Sequence, residues 1–185
     1  MKKDKLKGFR IFNIPEEVVE WTNDHYTDQE LESLDIKNNL NTPLADYKGS
    51  GYHGMNEYIR FGCIDDQDVF DIKGLQSFLS SKKLKDSVQV YRFVDVRELV
   101  ILLWNTRGNK VYEYPGFLST TLLKEYYSMS YIRQKRVAIS IRIPKGTHGT
   151  YVAEVNPKMP EYEILLPYHT KLKRIGFMTY EVEGV

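Results

Sequence analysis

The stretch Glu161–Ile175, EYEILLPYHTKLKRI, decides the reading of this chain. It opens with two carboxylates two positions apart, Glu161 and Glu163, where a loop runs into the apolar run Ile164-Leu165-Leu166. In a strand, residues i and i+2 share a face, so both carboxylates are expected to point the same way. Two like charges held that close are unfavourable unless a cation or a substrate offsets them. Two partners precede the pair in the chain: Arg92 in the alternating run VQVYRFV, and Ser119 in GFLSTT.

Working outward, the C-terminal half reads as short strands at tight spacing. VAISIRI alternates and is broken by Pro144-Lys145-Gly146, and YVAEV, EYEILL, LKRIGF and MTYEVE follow. Tyr114-Pro115-Gly116 is a turn, Phe117–Thr120 a strand, and Asp95 caps the apolar helix VRELVILLW. The tyrosine-rich stretch KEYYSMSYIRQKR is a connector. The first third reads as helical. Asn23 or Thr27 can cap a helix, and Thr27-Asp28-Gln29-Glu30 has the capping-box pattern. Apolar residues are sparse there, so those helices are expected at the periphery. In ADYKGSGYHGMNEYIRFG the Gly/Ser-rich half reads as a loop. The half from Met55 to Phe61 starts a helix that turns Met55, Tyr58 and Ile59 inward, and Lys73–Leu84 is a further helix. Helices first and antiparallel-type strands last give an α+β class. The composition shift near Ser87 separates a mainly helical lobe, 1–86, from a mainly β core, 87–185, within one domain.

Composition narrows the function. The 185 residues carry a net charge of +1, so no global field calls for nucleic acid or anionic lipid. The single cysteine, Cys63, allows no internal disulfide and reads as a small buried hydrophobe. Histidines 25, 53, 148 and 169 lack ligand spacing, so no metal is expected. The lysine-rich start has no apolar core of a Sec signal, and no stretch approaches the ~20 apolar residues of a membrane span.

An arginine fixed on a strand offers a rigid fork to phosphate or carboxylate. A carboxylate near a sugar can stabilise an oxocarbenium-like transition state, and a second one can take a proton from the attacking nucleophile. The set suits cleavage of a glycosidic bond in a substrate that also carries phosphates.

Arginine, then a strand Ser-Thr-Thr, then Glu-x-Glu resembles the toxin-type mono-ADP-ribosyltransferases, the Arg-Ser-Glu class to which binary actin-modifying toxins and C3-like exoenzymes belong. The resemblance extends to ISIRIPKGTHGTYV, to EYEILL and to Tyr47, Tyr52, Asn56 and Arg60 in YKGSGYHGMNEYIR, and covers about Tyr47–Ile175. It implies the ADP-ribosyltransferase fold: two roughly perpendicular β-sheets, N-terminal helices and an NAD cleft. It implies NAD+ as co-substrate, no metal, and transfer of ADP-ribose to a protein. Arg92 would hold an NAD phosphate, with Arg133 as a second phosphate-binding arginine. Ser119 and Thr121 would brace Glu163, which would bind the nicotinamide ribose 2′-OH and stabilise the oxocarbenium ion. Tyr47, Tyr52, Asn56 and Phe93 would line the NAD pocket. Glu161 and Met159 would face the acceptor.

Glutamate rather than glutamine at position 161 is what arginine-modifying members carry. Arginine is therefore the expected acceptor, with hydrolysis of NAD as a side activity. The resemblance also implies a toxin or effector, secreted by a dedicated route or acting inside the producing or phage-infected cell, with a delivery or activating component as a further partner. The chain departs from the pattern at Phe93, where many members have glycine, at Gly116, where some have asparagine, and in Asn156–Pro160, which lacks the usual aromatic. Two other readings stay open: a nucleic-acid-modifying enzyme on the same fold, and a non-catalytic NAD-binding module. Taken singly, each residue also has a plain reading. The glutamates make a solvated strand edge, Arg92 an exposed strand arginine, Ser119-Thr120-Thr121 β filler, Arg133 part of a basic cluster with Lys135 and Arg136, and Tyr52 a core aromatic. Tyr126 and Tyr127 could cover the nicotinamide or simply pack the connector.

Overall fold

Alternation of β-branched and aromatic residues makes Val88–Val94 a strand, β1, and it forms the middle of the sheet. The computed structural model describes residues 8–34, 42–62, 71–124, 136–152 and 162–184. Helices α1 (Pro15–His25), α2 (Asp28–Leu34), α3 (Pro43–Asp46), α4 (Tyr52–Phe61) and α5 (Ile72–Ser81) precede β1, and α6 (Val96–Asn105) follows it. The later strands are β2 (Val111–Glu113), β3 (Leu118–Thr121), β4 (Val137–Ile143), β5 (Thr150–Val152), β6 (Glu163–Leu166), β7 (Lys171–Gly176) and β8 (Thr179–Glu183).

Among the described residues the eight strands run in the order β2-β7-β8-β4-β1-β3-β6-β5, and all neighbours are antiparallel except β4 and β8. The joins are uneven. β1 and β4 pair from Val88↔Ile143 through Val94↔Val137, whereas β1 and β3 pair only at Tyr91↔Thr121. The two expected sheets are therefore two blocks, β2-β7-β8-β4-β1 and β3-β6-β5, connected into one hydrogen-bonded order by a single residue pair.

The first helix is not peripheral. Trp21 and Val18 are fully buried, and the indole meets Phe12, Tyr26 and Tyr151 edge-on at 5.4, 5.8 and 6.3 Å. One tryptophan buries as much apolar surface as several aliphatic residues, so a helix poor in aliphatics still anchors to the core. The Thr27 capping box forms: Glu30 N–H donates to the Thr27 hydroxyl oxygen at 3.2 Å and Thr27 N–H to Glu30 Oε2 at 2.8 Å. Asn23 lies inside α1 and caps nothing. Asp95 caps α6 by accepting from Glu98 N–H. α5 stops at Ser81 rather than Leu84, because the Leu84 N–H is taken by the Thr147 carbonyl.

The Gly/Ser-rich segment is not a loop. Tyr47–Gly51 forms a π-helical turn that joins α3 to α4 without a break. Leu44, Ala45, Tyr47 and Met55 are buried along this continuous helical path, and their packing overrides the local glycine signal. Met55 points inward as expected and Ile59 is half-buried, but Tyr58 is exposed.

Candidate active site

Glu163 is the first residue of β6, and the backbone just before it decides how it is presented. Tyr162 has φ +43°, in the left-handed region that a non-glycine residue enters at a cost. The strand β6 therefore begins at Glu163, and the expectation that Glu161 shares its face falls on a residue outside the described ones. Tyr162 is itself buried, and its carbonyl accepts from Leu122 N–H at 2.9 Å, which fixes the turn to the end of β3. Glu161, Met159 and Arg133 lie outside the described residues, as do Cys63, Tyr126 and Tyr127.

Glu163 is not a solvated edge: it is only 2 % exposed. It stands directly opposite Thr121 on β3 and Val152 on β5. Its Oε2 accepts from the ammonium of Lys48, in the π-helical turn, at 2.5 Å. Tyr47, beside Lys48, is buried, and burial followed by the Glu163 charge pushes its phenol above the usual range. The Tyr47 hydroxyl accepts from Asn56 Nδ2 at 3.4 Å, and Asn56 Oδ1 accepts from Phe117 N–H at 2.8 Å. Asn56 thus ties α4 to the strand that carries Ser119. Gly116 makes room for this tie, since a Cβ there would lie 2.6 Å from Asn56 Oδ1.

Arg92 sits where β1 and β3 part. Its Nε donates to Glu98 Oε1 (2.9 Å), Nη1 to the Ser119 carbonyl (2.7 Å) and Nη2 to the Tyr114 hydroxyl (2.7 Å). Burial favours losing the proton, but Tyr114 and Glu98 outweigh it and hold the guanidinium charged more firmly than usual. A guanidinium has five N–H donors. Among the described residues one on each nitrogen is used, so the fork is fixed in place while retaining donors for an anion.

Tyr114 is the hub of this arrangement. It is buried, its hydroxyl accepts from Arg92 and from Arg60 Nη2 (3.0 Å), and it donates to Glu98 Oε1 (2.7 Å). Burial foremost, opposed by Arg92, pushes its pKa up to about 12. Arg60 Nε also donates to the Pro115 carbonyl at 2.8 Å. The structure therefore brings Arg92 to the main chain of Ser119, Thr121 opposite Glu163, and Tyr47 to Asn56. The Ser119 side chain is half-buried on the strand, and Phe93 is half-buried beside Arg92. Tyr52 is not a core residue: it is 43 % exposed, with its ring 3.9 Å from that of His53.

Sequence reasoning gave no role to Lys48, Glu98 or Tyr114, and named Arg60 only as part of the motif with Tyr47, Tyr52 and Asn56. For Glu98 a signal existed, because it follows Arg92 by six positions in the first turn of a capped helix. For Lys48 there was none, since 115 residues separate it from Glu163. Chemically, the site presents a buried carboxylate beside an ammonium and an immobilised guanidinium.

A model of the ADP-ribosyltransferase exoenzyme family matches residues 19–184. Among solved structures the chain is similar to Plx2a, an ADP-ribosyltransferase toxin from Paenibacillus larvae, with 21 % identity, a TM-score of 0.67, and coverage of 94 % of this chain and 99 % of that one. It is also similar to BECa, an ADP-ribosylating toxin of a binary enterotoxin of C. perfringens solved with NADH (18 % identity, TM-score 0.67), covering 95 % of this chain but only 49 % of that one. C3stau2 from S. aureus, solved with NAD, shares 18 % identity at a TM-score of 0.61 over 97 % and 100 % of the two chains. No curated protein sequence matches.

Proposed function

The chain belongs to the ADP-ribosyltransferase exoenzyme family and so is an NAD-dependent enzyme that transfers ADP-ribose to protein; from that premise we infer that its acceptor is arginine and that Glu163, Arg92, Ser119 and Glu161 carry the reaction. The observation that carries this reading is the burial of Glu163, a carboxylate 2 % exposed at the start of a strand. Burying a carboxylate is unfavourable unless it is paired; Lys48 pairs one oxygen of Glu163, and the positive charge that develops on the substrate is what the held carboxylate stabilises.

The geometry supports the following roles for the described residues, with Glu161 assigned by its residue type. Arg92, locked by Glu98, Tyr114 and the Ser119 carbonyl, receives a phosphate of NAD without losing side-chain entropy on binding. Tyr47 and Asn56 form the adjoining wall on the helical side, with Thr121 across from Glu163. Glu163 stabilises the ribosyl cation as nicotinamide leaves. Glu161 then binds the acceptor guanidinium, which its very high pKa keeps cationic, and takes a proton from the attacking nitrogen as that nitrogen bonds to the ribosyl carbon and becomes acidic. With no acceptor present, water attacks the same cation and the enzyme hydrolyses NAD. The BECa likeness supports action as a toxin or effector, with a delivery component as partner.

Nicotinamide release from NAD, with and without agmatine as an arginine mimic, tests this. Wild type is expected to release nicotinamide faster with agmatine. Glu163→Ala should abolish release, and Glu161→Ala should lose only the agmatine-dependent part. NAD binding without release under every condition would reject transfer in favour of a binding module. Labelling of a lysate that vanishes on nuclease treatment would move the acceptor from protein to nucleic acid.

A further inference from the structure

The Lys48–Glu163 pair is nearly out of water, the two side chains being 13 % and 3 % exposed. Removing one member of a buried pair strands the other as an uncompensated charge. The surroundings of Glu163 make Lys48 the group that matters. The π-helical turn contributes Lys48 and Tyr47, and β1 contributes Arg92, whose charge reaches the same Tyr47. The flanking strands face Glu163 with Thr121 and Val152, neither of which titrates near neutrality, and Tyr162 precedes it in the chain. Among the described residues Lys48 is the one cation hydrogen-bonded to Glu163.

Taking Glu163 as the NAD-cleaving carboxylate, we propose that Lys48 is a positioning residue of this site: it fixes Oε2 and holds the carboxylate of Glu163 aimed before substrate arrives. The other oxygen, Oε1, then takes the ribose hydroxyl. Because Lys48 follows Tyr47 in the same turn, the contact also registers the helical wall of the site against β6. The pair makes the readiness of Glu163 independent of whether NAD is bound.

Two readouts test this on the full chain with Lys48→Met and Lys48→Arg. The first is the split of the nicotinamide-release kinetics: Lys48→Met should lower kcat about tenfold or more with KM for NAD nearly unchanged, and Lys48→Arg should restore it. The second is NAD affinity by calorimetry, which should stay within about twofold of wild type in both variants, a pattern that mere loosening of the fold would not produce. If Lys48→Met does not fold, Lys48→Gln serves with the same expected direction. A folded neutral variant with the wild-type kcat overturns the inference. A wild type that binds NAD but releases no nicotinamide overturns the function on which it rests, so the two failures are separable.

Discussion

Replacing Tyr114 by phenylalanine deletes one oxygen and keeps the ring. That oxygen accepts from Arg92 at 2.7 Å and from Arg60 at 3.0 Å, and donates to Glu98 at 2.7 Å. Hydrogen bonds to charged groups contribute roughly 1.5–3 kcal/mol each. The three share one atom and do not add. Arg92 also keeps Glu98 and the Ser119 carbonyl, and Arg60 keeps the Pro115 carbonyl. A net loss of about 3 kcal/mol follows, below the roughly 4.5–9 kcal/mol of the simple sum because the charged partners keep their other bonds. For a chain of this length that corresponds to a fall in Tm of about 6–12 °C. Arg92 loses the contact that sets the plane of its fork, so NAD binding should weaken about tenfold, or ~1.4 kcal/mol. Thermal unfolding followed by circular dichroism gives the first figure. Nicotinamide release against NAD concentration gives the second, with KM rising and kcat nearly unchanged. A Tm within about 2 °C of wild type, less than about 1 kcal/mol by the same scaling, together with an unchanged KM would refute the idea that Tyr114 holds the arginines.

Gly116→Ala places a Cβ 2.6 Å from Asn56 Oδ1 at a residue with φ +144°; urea unfolding should show a loss of roughly 1–3 kcal/mol and slower nicotinamide release, because the tie from α4 to β3 is forced apart. Thr27→Ala removes the hydroxyl that caps α2 and should lower stability by about 1 kcal/mol in the same assay. The Glu30 carboxyl, held by the Thr27 N–H and by Lys85, is lowered from 4.5 to about 2. Its contribution is therefore present above about pH 4.5 and is lost as the pH falls toward 2. The stability gap between wild type and Glu30→Gln should close over that window in acid titrations of Tm.

The sequence made the strands legible because their signal is local. Val88–Val94 and Val137–Ile143 alternate over their full length and pair residue for residue. The capping patterns at Thr27 and Asp95 were legible for the same reason, as each closes within three residues. What escaped was set by tertiary packing. The Gly/Ser run became helical because Tyr47 and Met55 are buried on either side of it. α1 became a core helix through the one residue Trp21. In the candidate site, Arg92, Ser119 and Glu163 were named from residue types in order, but what holds them in place was not. Lys48, Tyr114 and Arg60 meet their partners across gaps of 115, 22 and 54 residues, and no periodicity encodes such contacts.

The uneven join in the middle of the sheet makes side chains, not main chain, the glue of the cleft. One residue pair, Tyr91↔Thr121, joins the strands there, and Arg92 adds a bond to the Ser119 carbonyl. The candidate site residues are divided across it, with Arg92 on one side and Thr121 and Glu163 on the other. The two blocks share one apolar core, with Val90 and Ile139 from one and Leu118 and Ile164 from the other, so burial rather than a hydrogen-bonded ladder holds the two halves in register. Trimming a core side chain at that seam would therefore shift one half of the cleft against the other while each block kept its own strands.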